Sequence, residues 1–472
     1  MSAPNSTTVL PAAPFPWQRP RRERLILLLV ALATLTQVYV VTTQDVSRLC
    51  LTSAITAGRL TVEPCDGSSL DHARFDGRTY SDKAPGISLL AVPIAELAGL
   101  PGSHRSEFHH DLGVWVARIL TNGVAFLVLV FALGRVAEGL AEDTGGPVAV
   151  TLALGTLTGS LASTMFDQVA AAALCFGAFA LAWRRKPGLA GLLAGVAFLV
   201  EYEAAPIVAI IGLYVLLRES RRFGRFCLGA VPGFAVLAAY DWAAFGSPFH
   251  ASYRYVANVF AHAQASGFFG ISLPRWHAVV SVLAGDRGIL VTSPGLVAAA
   301  AGLMLLARRY RIEMMACAAA TTVGLLLEFG YFLPYGGVSP GPRFLTPALP
   351  FLALGLAPAF SRARALAASL MVASVVASTA VLVTWPNESV AGYRQTVWGE
   401  IARAATHTQS RLHANLTRNI VWWAGLSKTE SALFVAACAA AACAAALSPG
   451  RPLRSPRSAP VRPLEPTVET TT

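Results

Sequence analysis

Apolar segments of helical length recur along almost the whole chain and are separated by polar stretches. The first begins at Leu25 and the last ends at Leu447. About 20 apolar residues of an α-helix cross the hydrocarbon core of a bilayer, where a helix satisfies its own backbone hydrogen bonds. The pattern therefore predicts an all-α, polytopic membrane helical bundle over residues 25–447, with about 12 transmembrane spans and both ends cytoplasmic.

The longer polar stretches are predicted to be outer loops. They lie at about 44–111, 245–288, 334–343 and 385–430. Within the first of them, the apolar segment from Ile87 to Leu100 is too short to span and is predicted to be juxtamembrane or re-entrant. Residues 1–24 and 448–472 are predicted to be disordered cytoplasmic ends, because their Pro-rich composition offers little to bury.

Charged residues are sparse and unevenly placed. Of the 472 residues, 54% are hydrophobic and 13% are charged, against about a quarter charged in a soluble domain. The net charge is +11, but the cations cluster in short loops between apolar segments, as expected for cytoplasmic loops. This placement argues against nucleic-acid binding and predicts a multi-pass plasma-membrane protein. The first apolar segment lacks a small-residue cleavage site, so we expect a retained anchor.

The first outer loop holds the densest group of ionisable residues and one sharp motif, YSDKAPG at Tyr80 to Gly86. Lys83 can neutralise a phosphate, and the Pro85–Gly86 pair fixes a turn and allows close approach of the chain. The alternative is an interfacial lysine whose amine extends to water. The motif therefore makes Lys83 a candidate phosphate ligand.

A parallel motif, SPGPRF, runs from Ser339 to Phe344. Arg343 follows a rigid Gly/Pro turn, and its planar guanidinium can bind two phosphate oxygens at once. Two cationic side chains beside rigid turns, in two separate outer loops, predict a site for an anionic group.

Asp45 follows directly after the first apolar segment. A carboxylate at this position can act as a base; the alternative is a helix-end or interfacial residue. Arg118 and Glu328 lie inside predicted spans, where a charge costs about 2.5–3.5 kcal/mol. They are expected either to pair with each other or to line an outward-facing cavity.

The second outer loop is rich in aromatic residues. Tyr253 and its neighbours are expected either to form an interfacial belt or to floor a groove for lipid and sugar. His262 is a further candidate for substrate contact. In the first loop, Cys50 and Cys65 are compatible with an extracytoplasmic disulfide and with two unpaired cysteines.

Taken in order, these motifs resemble the membrane glycosyltransferases of the GT-C fold, and above all the bacterial branch of the protein O-mannosyltransferase and aminoarabinose-transferase superfamily. The acidic residue after the first span, the long first outer loop and the YSDKAPG box carry the resemblance, with Ala84–Pro85 in place of that superfamily's Pro-Pro pair. FGSPF, GDRGIL and GPRFLTPALPFL are similar to stretches of bacterial members. The likeness spans Leu25 to about Thr384.

The resemblance implies a polyprenyl-phosphate-linked sugar as donor and an acceptor protein, glycan or lipid on the extracytoplasmic face. Asp45 is then expected to take the acceptor proton during inverting transfer, while Lys83 and Arg343 stabilise the departing phosphate. Substrate-positioning roles are expected for Arg48, Asp71, Tyr80, Asp82, Tyr253 and His262. No metal and no cofactor are required if cationic side chains hold a monophosphate.

One departure bears on the base. The superfamily often has an Asp-Glu pair, whereas Val46 follows Asp45 here. If the pair is required, Asp82 or Asp71 becomes the next candidate.

Two alternative functions come from other classes. A lipid or solute transporter would place polar groups near the bilayer midplane and often shows internal repeats, whereas here charge gathers in outer loops and no repeat is evident. A non-catalytic assembly factor would not need cations beside rigid turns. The enzyme hypothesis requires Asp45, Lys83 and Arg343 to converge on one outward-facing cavity.

Overall fold

The computed structural model of the protein describes residues 20–39, 41–63, 71–98, 112–337, 339–385, 396–399, 402 and 416–448. In these ranges the chain is almost entirely helical, as the apolar pattern predicts. The α-helices are α1 (Pro20–Thr34), α2 (Thr43–Thr56), α3 (Gly86–Ala98), α4 (Leu112–Arg118), α5 (Val124–Leu140), α6 (Gly145–Leu154), α7 (Leu157–Leu161), α8 (Gln168–Trp183), α9 (Pro187–Val200), α10 (Ala205–Glu219), α11 (Phe223–Phe245), α12 (Ala261–Gln264), α13 (Trp276–Ala284), α14 (Ile289–Thr292), α15 (Gly295–Leu306), α16 (Arg311–Gly330), α17 (Leu349–Ala353), α18 (Leu356–Arg362), α19 (Arg364–Thr384) and α20 (Lys428–Leu447).

Among the described residues, five helical segments are long and apolar enough to cross a membrane, which confirms the polytopic helical bundle. Two bent helix pairs raise the number to as many as seven, with bends of 89° and 48°. The five segments are Leu112–Leu140, Tyr202–Phe245, Arg311–Gly330, Arg364–Thr384 and Lys428–Leu447.

The expected number of about 12 spans is not confirmed for the part of the chain that the structure describes. Within residues 202–245, α10 and α11 are separated by a 3₁₀ turn, Ser220–Arg222, and Glu219 before this turn has a non-helical backbone (φ −145°, ψ 56°). Four further apolar helices, α3, α6, α8 and α9, are 10–17 residues long. Pro294 and Gly355 lie at the two sharp bends, because both residue types interrupt a regular helix.

Within the described ranges, two short antiparallel strand pairs accompany the helices. Strand β1 (Gln37–Val38) pairs with β4 (Arg418–Asn419), which ties the end of α1 to the segment before α20. Strands β2 (His72–Phe75) and β3 (Arg78–Ser81) form a hairpin in which His72 faces Ser81. Its turn residues, Asp76 and Gly77, have φ values of 49° and 73°. Asp-Gly favours such a hairpin turn.

The first predicted outer loop is therefore more ordered than the sequence suggests. It contains α2, the hairpin and α3. Helix α1 ends at Thr34 instead of continuing to Thr43, and it begins at Pro20, inside the predicted disordered end. Thr42 caps α2 through a capping box with Asp45, which explains why a helix begins within a polar stretch.

The Lys83 motif is fixed by close packing at its end. Gly86 begins α3 against the last turn of α9, and a Cβ on Gly86 would lie 2.7 Å from the Leu199 carbonyl oxygen and from the Val200 Cα. Only glycine leaves this backbone contact open. The Pro85–Gly86 turn is thus held on the end of α9, and Lys83 is held with it.

The cation clusters and the outer loops lie at opposite ends of the same helices. Helix α9 begins after Arg184, Arg185 and Lys186 and ends beside Gly86. Helix α16 begins after Arg308 and Arg309 and leads at its other end into Tyr331. This arrangement agrees with the charge asymmetry in the sequence.

Candidate active site

A cavity of about 620 Å³ opens between the first, second and third predicted outer loops. It brings together five of the predicted site residues from three separate parts of the sequence: Asp71, Asp82, Lys83, Tyr253 and Arg343. Four other predicted site residues do not line it: Asp45, Arg48, Tyr80 and His262. The convergence of Asp45, Lys83 and Arg343 is therefore seen only in part, with the two cations in the cavity and Asp45 outside it.

Lys83 is the centre of a buried acid–base cluster in this cavity. Its Nζ lies 3.1 Å from Asp71 Oδ1 and 3.2 Å from Asp82 Oδ1. Burial alone would lower the pKa of Lys83, but the charges of Asp71 and Asp82 outweigh it and raise the pKa above its usual value. Lys83 is therefore a fixed positive charge.

The two carboxylates differ in protonation behaviour because their surroundings differ. Burial raises the pKa of Asp82 to about 6, although Lys83 works in the opposite direction. Burial also acts to raise the pKa of Asp71, but Lys83 and Arg343, with a hydrogen bond from Thr43, hold it below the usual value. Two carboxyls with separated pKa values can take different roles in one site.

Arg343 is another cation that lines the cavity, and it is 6% exposed. Its guanidinium carbon lies 5.0 Å from the ring centre of Phe166 and 4.8 Å from that of Phe344. Its Nε and Nη1 are buried and make no hydrogen bond within the described residues. Because an unpaired buried donor is costly, this group is suited to bind an anion that enters the cavity.

Asp45 has a different environment from the one the sequence predicts. Its Oδ2 accepts hydrogen bonds from the backbone N and hydroxyl of Thr42, and Met165 N donates to Oδ1 at 2.7 Å. Arg118 Nη2 lies 3.1 Å from Oδ2. The carboxylate is 0% exposed. Through these contacts, the Asp45 carboxylate joins α2, α4 and the segment before α8.

The expected pairing of Arg118 with Glu328 is wrong, and neither residue lines the cavity. Arg118 binds Asp45 and donates to the Tyr39 carbonyl oxygen at 2.9 Å. Glu328 accepts a hydrogen bond from Phe344 N at 2.7 Å. Each buried charge thus has its own partner.

Arg48 lies behind the cavity. It donates to Asp167, and it donates to the Gln44 side-chain oxygen at 2.8 Å. Burial would lower the pKa of Arg48, but the adjacent Asp167 raises it above the usual value. Because Gln44 lines the cavity, Arg48 contacts the site through Gln44.

The three candidate residues with aromatic rings in the outer loops, Tyr80, Tyr253 and His262, lie in different places. The Tyr80 ring packs 5.1 Å from that of Phe245 in a core cluster outside the cavity. His262 is exposed on α12. Tyr253 lines the cavity and donates to Glu203 Oε1 at 2.9 Å.

Sequence analysis missed Gln44, Arg287 and Tyr335, all of which line the cavity. Arg287 lies 4.6 Å over the Tyr335 ring and donates to the Ser339 carbonyl oxygen at 2.7 Å. Tyr335 has a φ of 69°, which is rare for a bulky residue and occurs at functional sites. The GDRGIL and YGG motifs were the available signals.

Among the described residues, no group of three His, Cys, Asp or Glu side chains could hold a metal ion. Cys50 is disulfide-bonded, while Cys65 lies outside the described residues.

The fold is a bundle of apolar helices, and its polar cavity combines cations and carboxylates. This combination is typical of an integral membrane enzyme. The model of glycosyltransferase family 87 matches residues 85–333, more than half of the chain. The chain belongs to this family and is a glycosyltransferase. Membership confirms the resemblance to membrane glycosyltransferases and decides against the transporter alternative. No curated protein matches the chain.

Among solved structures, the chain is similar to ArnT from Cupriavidus metallidurans in the apo state, with 14% identity, 91% of this chain and 76% of that chain covered, and a TM-score of 0.49. ArnT bound to undecaprenyl phosphate gives 13% identity, the same coverage and a TM-score of 0.49. The arabinofuranosyltransferase AftD from Mycobacteria gives 19% identity, 77% of this chain, 26% of that chain and a TM-score of 0.41.

Proposed function

We propose that this glycosyltransferase moves one sugar from a polyprenyl-phosphate donor to a hydroxyl group of an acceptor protein, glycan or lipid, with inversion. The observation that carries the proposal is the convergence of Lys83 and Arg343 in one cavity, where two nitrogens of Arg343 make no hydrogen bond within the described residues. Two buried cations suit a monophosphate, whose negative charge grows as the glycosidic bond breaks.

The proposed donor site places the phosphate between the two cations. Lys83 offers an ammonium point charge, and Arg343 offers the planar donor pair that matches phosphate geometry. Donor phosphate then competes with Asp71 and Asp82 for the Lys83 ammonium. Because the cations would neutralise the leaving phosphate, the proposed reaction includes no metal.

The lipid part of the donor is proposed to lie in the bilayer beside α3. This helix follows Lys83 directly, and its Leu90 and Leu97 side chains are 52% and 91% exposed. An apolar surface next to a cationic site suits a donor that joins a polyprenyl chain to a phosphate.

Asp82 is our first candidate for the base. It lines the cavity, it lies beside Lys83, and its pKa of about 6 is close to the range that favours proton transfer near neutral pH. In the proposed step, Asp82 takes the acceptor hydroxyl proton, the acceptor oxygen bonds to the anomeric carbon, and the bond from that carbon to the phosphate oxygen breaks. The sequence-based candidate, Asp45, remains the alternative.

The proposed location of the reaction is the extracytoplasmic face of the plasma membrane. The cavity lies at the ends of α9 and α16 that are opposite to their arginine-rich ends. By the positive-inside rule, the arginine-rich ends face the cytoplasm.

A donor panel tests this function. Purified protein would be incubated with polyprenyl-phosphate sugars and a membrane extract as acceptor source, and released polyprenyl phosphate would be measured. We expect release with one class of sugar, and loss of that release in Lys83→Ala. Arg254→Ala is the control, because Arg254 is exposed and does not line the cavity. Folded wild-type protein that releases no lipid phosphate from any donor would contradict the proposal.

A further inference from the structure

Glu328 is a buried carboxylate that the proposed reaction does not use. It lies in the last turn of α16 and is 0% exposed. A carboxylate inside a membrane-spanning helix is costly unless it has a partner, so its partner indicates its role. That partner is the backbone N–H of Phe344, whose nitrogen lies 2.7 Å from Glu328 Oε1.

Phe344 is the residue that follows Arg343. The two begin a 3₁₀ turn, Arg343–Ala348, and Pro342 before it provides no side-chain cap. The first N–H groups of a helical turn have no partner within the turn, so an external acceptor is needed. Glu328 provides it and thereby joins the Arg343 backbone to the end of α16.

The same bond also fixes the ring next to the guanidinium. The Phe344 ring lies 4.8 Å from the Arg343 guanidinium carbon and 5.0 Å from the ring centre of Tyr331, the residue after α16. A Cβ on Gly336 would lie 2.7 Å from Arg343 Nε and 3.0 Å from the Phe344 ring. Arg343 is therefore closely packed against Phe344 and Gly336, and Glu328 holds the backbone of Phe344 in this contact.

We infer that Glu328 is a positioning residue for the donor phosphate, because its hydrogen bond to Phe344 N holds the Arg343 guanidinium in the cavity. This inference rests on the proposed role of Arg343 in phosphate binding. Glu328 does not line the cavity, so it acts through Arg343 and not by contact with the substrate. Arg343 also acts electrostatically on the Glu328 carboxyl group, but the hydrogen bond carries the inference.

The chain offers a matched control on the same helix. Glu313 lies in the first turn of α16, is 1% exposed, and pairs with Arg218 at 3.1 Å and with the Tyr214 hydroxyl at 3.2 Å. It is equally buried but far from the cavity. Glu313→Leu therefore reports the general effect of removing a buried carboxylate from α16.

The test measures binding of a polyprenyl phosphate of defined length to the detergent-purified protein, through the concentration dependence of its thermal stabilisation. We expect Glu328→Leu to weaken binding about tenfold or more, the size of one buried N–H left without its hydrogen bond. Glu328→Gln keeps an acceptor oxygen and should bind like the wild type, as should Glu313→Leu. In an Arg343→Ala background, Glu328→Leu should cause no further loss.

A folded Glu328→Leu variant that binds like the wild type would overturn the inference. If that variant does not fold, Glu328→Gln decides: wild-type binding supports the hydrogen-bond role, and a loss as large as that of Arg343→Ala contradicts it. Failure of the proposed function gives a different result, because the wild-type protein itself would then not bind the polyprenyl phosphate. The inference about Glu328 would be wrong in that case as well.

Discussion

At the scale of single residues, the proposed phosphate site combines two cations, Lys83 and Arg343, with two carboxylates, Asp71 and Asp82. Lys83 lies within 3.2 Å of both acids, whereas Arg343 is stacked between aromatic rings with donors unused. The sequence could predict both cations, because each stands beside a rigid turn. It could not predict which Asp enters the cavity, since that depends on where α2 and the hairpin place the side chains.

The base assignment predicts a large effect at Asp82. Asp82→Asn should lower turnover by about 10²–10⁴-fold, the usual contribution of a general base, with little change in donor affinity. Because the pKa of Asp82 is about 6, the carboxylate is deprotonated above that pH and protonated below it. Wild-type turnover should therefore rise with pH through about 6. Steady-state kinetics across pH would measure both effects.

The comparison that decides the base is Asp45→Asn. If Asp82→Asn kept full turnover while a folded Asp45→Asn lost it, Asp45 would be the base and the cavity assignment would be wrong. Asp71→Asn tests the other carboxylate beside Lys83.

Asp45 is expected to matter for stability. Asp45→Asn breaks a fully buried ion pair with Arg118, and loss of one partner of such a pair costs about 3–5 kcal/mol. We expect a clear fall in Tm in detergent. Asp143→Asn is the control, because its pair with Arg22 is partly exposed at 3.7 Å and should contribute little. Equal Tm values for the two variants would contradict this account of Asp45.

At the scale of elements, three short features fix the cavity: the capping box of α2, the Asp-Gly hairpin, and the Gly86 contact with α9. The hairpin signal, Asp76–Gly77, is present in the sequence but is easily lost inside a long polar stretch. The contact of Gly86 with Leu199 and Val200 joins residues far apart in sequence. Pro85 and Gly86 predict a tight turn but do not reveal what it packs against.

Gly86 therefore offers a test at this scale. Gly86→Ala places a Cβ 2.7 Å from backbone atoms that cannot move aside, and overpacking of this kind costs about 1–3 kcal/mol. We expect a lower Tm and a higher KM for the donor, because Lys83 shifts with the turn. Gly224→Ala is the control, since nothing lies within 4 Å of its added Cβ. A Gly86→Ala protein with unchanged Tm and KM would show that the contact is not needed.

At the scale of the whole molecule, the sequence predicts the class of fold, whereas the number of about 12 spans is not confirmed for the residues that the structure describes. Apolar content and charge asymmetry are properties of hundreds of residues, so local irregularities change them little. The ends of spans depend on single breaks: the chain bends by 89° at Pro294, and the arginine-rich 3₁₀ turn before Phe223 separates α10 from α11.

The orientation of the bundle is testable with introduced cysteines. Ser266→Cys lies in the loop beside the cavity, and Arg221→Cys lies at the arginine-rich end of α10. The native exposed cysteine Cys227 would first be changed to Ser. In intact cells, a membrane-impermeant maleimide should label Ser266→Cys and leave Arg221→Cys unlabelled until the membrane is opened. The reverse pattern would place the cavity on the cytoplasmic side.

The central claim is that Lys83 and Arg343 together hold the donor phosphate. The most direct measurement is sugar-dependent release of polyprenyl phosphate by wild type, Lys83→Ala, Arg343→Ala and the double variant, all shown to be folded. We expect each single change to lower kcat/KM by about 10²-fold or more, and the double variant to lose less than the sum of the two free-energy changes, because both cations act on one group. Single variants with wild-type kcat/KM would contradict the account.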